Sequence, residues 1–178
     1  DVRLSPGCPP PAVGFDDVPL PSGVRREISA AGFASPSLIQ SAAWPAAFAG
    51  LDVIGIAKTG SGKTLTFLAP AFKLIEEAAR AGGGGGGGGR GNECFNCGKA
   101  GHLSRDCPEP RGAGGGAAAS GNGPMCLVLA PTRELAIQIR DEALKFGRSS
   151  RIASMVAYGG APRGPQLGEL RRNPQVVV

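Results

Sequence analysis

Several features are missing from this chain, and each absence excludes something. No apolar run approaches the roughly 18 to 20 residues that a membrane-spanning helix needs, and no charged-then-apolar leader opens the sequence. Both facts argue against a membrane partner and a secretory signal. The cysteines do not form an even set: there are five, three of them at metal-ligand spacing. That arithmetic favours a reducing compartment over a disulfide framework, and leaves Cys8 and Cys126 as plain thiols. A starting methionine is also lacking, and the chain stops inside the apolar run Val176-Val177-Val178. The sequence therefore reads as cut at both ends. The expected compartment is intracellular, nuclear or cytoplasmic, with an organelle left open.

What is present in excess is glycine. Of 30 glycines in 178 residues, seventeen lie between Gly82 and Gly123. Setting that stretch aside leaves roughly 130 to 140 residues, enough for one ordinary α/β domain with a sizeable core. The simplest organisation is one folded domain interrupted by a foreign insert. The net charge of +5, with an isoelectric point near 9.2, favours an acidic partner such as a nucleotide, a nucleic acid or an anionic surface, without choosing among them.

The chemistry centres on Ala57-Lys58-Thr59-Gly60-Ser61-Gly62-Lys63-Thr64. It follows the apolar run Val53-Ile54-Gly55-Ile56, which reads as a short buried strand, and it opens a segment with helical periodicity. Strand, glycine loop and helix in that order build a phosphate cradle. The glycines let successive N–H groups turn toward an anion, the helix N-terminus adds partial positive charge, Lys63 reaches the outer phosphates and the Thr64 hydroxyl binds Mg²⁺. The strict P-loop pattern has Gly where Ala57 stands, so this is a variant form.

Taken in order, residues 1–21 are a proline-rich extended leader with Phe15 as its anchor. The first part of the nucleotide-binding domain spans 22–80. Ser22 caps a helix to about Ala31. Ser35 caps a second that carries Pro36 at its first position and runs through Gln40 toward Ala43, where Trp44-Pro45 interrupts it. After the strand Leu51–Ile56, a helix from Lys63 to about Ala79 places Phe67, Phe72, Leu74 and Ile75 on an apolar face, with a kink expected at Pro70. Residues 81–124 form the insert. The domain continues over 125–178 with a buried strand Met125–Ala130 and a helix capped by Thr132 that turns Leu135, Ile139 and Leu144 inward. A strand Arg151–Ala157, a helix Pro162–Arg172 and the start of a strand at Gln175–Val178 follow. Strands alternating with helices imply parallel pairing, with ligands gathered at the strands' carboxyl ends.

Three further stretches carry a resemblance. Gly32-Phe33-Ala34-Ser35-Pro36-Ser37-Leu38-Ile39-Gln40, with Phe15 standing 17 positions before Gly32, is similar to the Q motif of DEAD-box ATP-dependent RNA helicases. Pro131-Thr132-Arg133-Glu134-Leu135-Ala136 resembles that family's RNA-backbone motif, and Gly159-Gly160 its glycine pair. The resemblance covers about residues 14–80 and 125–178. It implies a RecA-like P-loop domain, a parallel sheet flanked by helices and incomplete at the C-terminus. It also implies ATP and Mg²⁺ as cofactors and RNA, single-stranded or duplex, as partner; protein partners stay unknown. By resemblance Gln40 hydrogen-bonds the adenine edge and Phe15 packs on its ring. Thr59, Gly60, Ser61 and Gly62 line the phosphates, and Lys63 and Thr64 act in catalysis. Pro131, Thr132, Arg133, Gly159 and Gly160 hold RNA. The family's Asp-Glu-Ala-Asp and Ser-Ala-Thr motifs do not occur here, so the expected enzyme is the longer parent, and this stretch alone is expected to be inactive. A non-catalytic RNA-binding adaptor with a nucleotide-switched pocket is the alternative, and a P-loop ATPase of another kind a second.

Within the insert, Cys94-x2-Cys97-x4-His102-x4-Cys107 supplies three thiolates and one imidazole, a closed tetrahedral set for structural Zn²⁺. Residues 94–107 resemble the zinc knuckle of retroviral nucleocapsid proteins. Phe95 and Leu103 are then placed to form an apolar platform for single-stranded RNA. From Arg90 to Arg111 four basic residues stand against three acidic ones, which predicts weak binding by the knuckle alone. Its glycine-rich tethers suit an accessory grip that raises local RNA concentration.

Overall fold

The computed structural model describes residues 7–82 and 123–178, the side chains of 81 and 82 excepted. After a short 3-10 turn at Phe15–Asp17 come helices α1 (Ser22–Ala30), α2 (Leu38–Phe48) and α3 (Lys63–Gly82). The second stretch contributes β1 (Cys126–Leu127), α4 (Arg133–Gly147), a 3-10 turn at Arg148–Ser150, β2 (Ser154–Met155), α5 (Arg163–Leu170) and β3 (Val176–Val177). The three strands pair in parallel in the order β1-β3-β2, with Val176 beside both Cys126 and Ser154. The expected parallel sheet is present, and the last strand in sequence is its centre.

The helices form for the reasons that their sequences suggest, but their ends and faces differ from expectation. α1 begins with Ser22 inside the helix and Pro21 at the cap, so Ser22 caps nothing. α2 is capped at Ser37 rather than Ser35, because Gln40 reaches back to accept the Ser37 N–H at 3.0 Å and defines the first turn there. It also runs through Pro45 to Phe48. A proline inside a helix leaves the carbonyl four residues earlier without its N–H. Here that carbonyl, on Ser41, accepts the Ala12 N–H at 2.9 Å. The leader thus completes the helix that Pro45 would otherwise weaken, and the Ser41 hydroxyl bonds back to the Ala12 carbonyl.

α3 repeats this solution. Pro70 lies inside it, and the carbonyl of Thr66, four residues earlier, accepts the indole N–H of Trp44 at 3.1 Å. Both groups are buried, and the bond joins α2 to α3 along their main contact. Leu65, Leu68, Ala69, Phe72 and Ile75 form the buried stripe of α3, whereas Phe67 and Leu74 are exposed. Seven residues apart, these two lie one above the other on a helix turning 3.6 residues per turn, on the side away from the core. In α4, Ile139 is buried with Ala136, Ala143 and Phe146, while Leu135 and Leu144 face outward. The core fills from these helices together with Ala12, Val18, Leu20, Val24, Ile28, Trp44, Ile152, Val176 and Val178.

Two strand expectations fail. Residues Leu51–Ile56 form no strand and pair with nothing among the described residues, and Ile54 and Ile56 are each 94% exposed. A strand buries its side chains and satisfies its backbone only where neighbours flank it, and among the described residues none flanks this segment. The segment is held at its start by the Leu51 N–H on Ala46 O, 3.1 Å. Met125–Ala130 is likewise not buried throughout. It pairs with β3 on one side only, and Leu127 and Leu129 point outward.

Candidate nucleotide and nucleic-acid sites

The phosphate loop sits where α3 begins, and its geometry follows from two glycines. Gly60 and Gly62 have φ of +73° and +89°, the left-handed region that side chains disfavour. At Gly62 space forbids a side chain as well, since a Cβ would lie 2.7 Å from Gln40 Nε2 and 3.1 Å from Ser37 Oγ. That crowding marks the point where the Gln40 element meets the loop. Gln40 is buried, its Nε2 donates to the Gly62 carbonyl at 3.3 Å, and the same carbonyl accepts the Thr66 hydroxyl at 3.0 Å. An amide has two N–H donors and two acceptor lone pairs, so after these bonds one donor and one lone pair are free for a base edge.

Phe15 stands behind this element. Its ring packs against Trp44 with centroids 6.0 Å apart and planes tilted by 50°, a favourable aromatic geometry. The turn that carries it is fixed twice. Arg25 donates to the Phe15 carbonyl at 3.0 Å and pairs with Asp16. Asp17 accepts from Gly14 N–H at 2.8 Å and Val13 N–H at 2.7 Å, and these bonds, Gly14 foremost, hold its carboxyl below the usual carboxylate range.

Lys63, the first residue of α3, folds its ammonium onto the loop's own carbonyls, 2.6 Å from both Ala57 O and Lys58 O. Ser61 Oγ is buried without a partner. Among the described residues the backbone N–H groups of Lys58, Thr59, Gly60 and Gly62 make no hydrogen bond. A row of unbonded N–H groups and an orphaned hydroxyl at a helix N-terminus fits a phosphate chain, and Thr59 and Thr64 flank it. The donor set suits ATP with Mg²⁺.

The second cluster lies at the carboxyl ends of the three strands, where α/β sheets place their ligands. A cleft of about 400 Å³ is lined by Ala130, Pro131, Thr132, Arg133, Tyr158, Gly159 and Val178, among others. Thr132 caps α4 by accepting the Leu135 N–H at 3.3 Å, which leaves its own O–H free to donate. Arg133 extends across to the glycine pair: its Nη2 donates to Gly159 O at 3.0 Å and its guanidinium carbon stands 4.9 Å from the Tyr158 ring centre. Pro131, Thr132, Arg133, Gly159 and Gly160, separate in sequence, thus meet. Cys94, Cys97, His102 and Cys107, with Phe95 and Leu103, lie outside the described residues.

The profile of the DEAD/DEAH box helicase family matches residues 37–178. The chain belongs to that family. It is 44% identical over 170 residues to DEAD-box ATP-dependent RNA helicase 40 of Arabidopsis thaliana, covering 96% of this chain and 12% of the relative. DEAD-box ATP-dependent RNA helicase 14 of the same plant is 42% identical over 179 residues, covering all of this chain and 23% of its own length. The chain therefore spans less than a quarter of these relatives. Among solved structures, the RNA helicase Prp28 from Chaetomium thermophilum bound to ADP superposes with a TM-score of 0.67 at 29% identity, covering 98% of this chain and 33% of that one. A DEAD box protein from the hyperthermophile Methanococcus jannaschii gives a TM-score of 0.64 at 25% identity, covering 94% and 34%. The fold is thus the RecA-like helicase fold, a parallel sheet flanked by helices.

Three residues of these clusters were not legible as site residues. Trp44 and Thr66 form the buried link beneath Gln40 and Phe15. Gln166 braces the glycine-pair loop: its Oε1 accepts Tyr158 N–H at 3.1 Å and its Nε2 donates to Tyr158 O at 3.2 Å. The available signal was chemical, since an amide is the side chain that matches a backbone donor and acceptor at once.

Proposed function

We propose that this chain is the ATP- and RNA-binding part of an ATP-dependent RNA helicase, working inside the cell as an N-terminal RecA-like domain with an inserted zinc knuckle. The observation that supports the reading is the bond of the Gln40 amide to the Gly62 carbonyl: an amide is a side chain suited to a base edge, and this one touches the phosphate loop. Phe15 and Gln40 would hold the adenine, and Thr59 to Thr64 the phosphates. Lys63 would exchange the Ala57 and Lys58 carbonyls for phosphate oxygens, and the Thr64 hydroxyl would hold Mg²⁺, which supplies charge neutralisation at the transferred phosphate. Thr132, Arg133 and the α4 N-terminus would grip the RNA backbone, with Gly159 and Gly160 letting the strand approach.

The test is base selectivity. A fluorescent ATP analogue should be displaced by ATP well before GTP, and Gln40→Ala should weaken ATP about two- to tenfold more than it weakens GTP, the worth of one net hydrogen bond. Equal displacement by GTP and ATP in the unaltered protein would overturn the reading. RNA-stimulated ATP hydrolysis by the full-length protein separates the enzyme from a non-catalytic adaptor.

For the insert, the donor set of three thiolates and one imidazole at Cys94, Cys97, His102 and Cys107 fits a structural zinc with no open position. It would act as an RNA grip through Phe95 and Leu103, apart from the ATP pocket. Native mass spectrometry should find one zinc per chain. Deleting residues 82–123 should weaken RNA binding and spare ATP binding; a large loss of ATP affinity would sink that role.

A further inference from the structure

We infer that Tyr158 is a positioning residue for RNA binding: its ring presents the Arg133 guanidinium to the phosphate backbone. The inference rests on the RNA-binding reading above. Arg133 opens α4, and its side chain is held at two points, the Tyr158 face at 4.9 Å and the Gly159 carbonyl at 3.0 Å. A guanidinium has five N–H donors in a planar fork. Lying over a ring engages the guanidinium's charge and uses none of its N–H donors, and among the described residues only one hydrogen bond occupies them. The remaining donors are free for a bidentate contact with phosphate.

The ring is itself anchored. Gln166 on α5 holds both the N–H and the carbonyl of Tyr158, so the platform is fixed to a helix instead of riding on a free loop. The neighbouring glycine keeps the space clear: Gly160 has φ of +77°, and a Cβ there would stand 3.0 Å from Arg133 Nη2. The structure thus forms a relay from α5 through Gln166 and Tyr158 to Arg133. An arginine held in this way loses less rotamer freedom on binding than one free in solvent.

The experiment measures binding of a fluorescein-labelled single-stranded oligouridylate to the full chain by anisotropy across a salt series. Tyr158→Phe, which keeps the ring, should bind like the unaltered protein. Tyr158→Leu, similar in bulk and apolar but without a π face, should bind about two- to fivefold more weakly, the range of an exposed cation–π contact. Its salt slope should be unchanged, because Arg133 still neutralises a phosphate. Arg133→Ala should bind more weakly still and lose about 0.7 from the slope of log K against log salt. In the Arg133→Ala background, Tyr158→Leu should add nothing. The inference fails if Leu serves as well as Phe beside the native Arg133, or if Tyr158→Leu weakens RNA equally when Arg133 is absent. If Arg133→Ala leaves RNA affinity unchanged, the RNA reading of the cleft fails with it.

Discussion

The chain holds two apolar runs of nearly the same composition, and they end in opposite environments. Val53-Ile54-Gly55-Ile56 is unpaired among the described residues and largely exposed; Val176-Val177-Val178 lies at the middle of the sheet with Val176 fully buried. β3 has a strand on each side, and among the described residues the segment before the phosphate loop has none. Residues 7–82 are consolidated without a ladder, by helices packed into the shared core and by side-chain and leader hydrogen bonds to helix carbonyls that two prolines set free. In residues 123–178 the ladder does that work. Apolar content alone does not bury a strand; neighbours do.

The sharpest way to break this comparison is to place a carboxylate in each run. Val176→Asp puts a charge between two strands with no partner, a loss expected to exceed about 4 kcal/mol and to leave the chain unfolded or insoluble. Ile54→Asp alters a side chain already in water and should stay within about 0.5 kcal/mol of the unaltered protein. Urea unfolding followed by far-UV circular dichroism measures both. Comparable losses at the two positions would mean that residues 51–56 find a strand partner in solution.

The same contrast explains what could be read in advance. Element types were legible where a helix carries an apolar face at helical spacing, as in α1, α3 and α4, and where an apolar run meets a strand partner, as at β1 and β3. The phosphate loop, Gln40 and the Thr132 cap were legible because their chemistry is local. Burial at Leu51–Ile56, Phe67, Leu74, Leu135 and Leu144 was not, because it depends on what packs from elsewhere, which no window of sequence contains. The end of α2 was missed for a related reason. Pro45 signals a break, and only the arrival of Ala12 at the Ser41 carbonyl removes the penalty. Tyr158 was visible only as the end of a strand; its role depends on Arg133 and Gln166, 25 residues before and eight after it.

A smaller effect tests the proline arrangement directly. Trp44→Phe keeps most of the buried aromatic volume and its packing against Phe15, but it removes the N–H that satisfies Thr66 O behind Pro70. A buried carbonyl left without a donor costs about 1 to 3 kcal/mol, and the loss should appear as a lower urea midpoint at unchanged slope. Trp44 is the single tryptophan of the chain, so circular dichroism rather than fluorescence must follow both proteins. Adding Pro70→Ala supplies a backbone N–H to the same carbonyl, and should recover most of what Trp44→Phe loses. Since Thr66 also bonds the Gly62 carbonyl that Gln40 reaches, nucleotide affinity should fall and recover with stability in these two variants. If Pro70→Ala restores nothing, the cost lies in the ring's volume and not in the carbonyl. The link from Trp44 to the phosphate loop would then be packing alone.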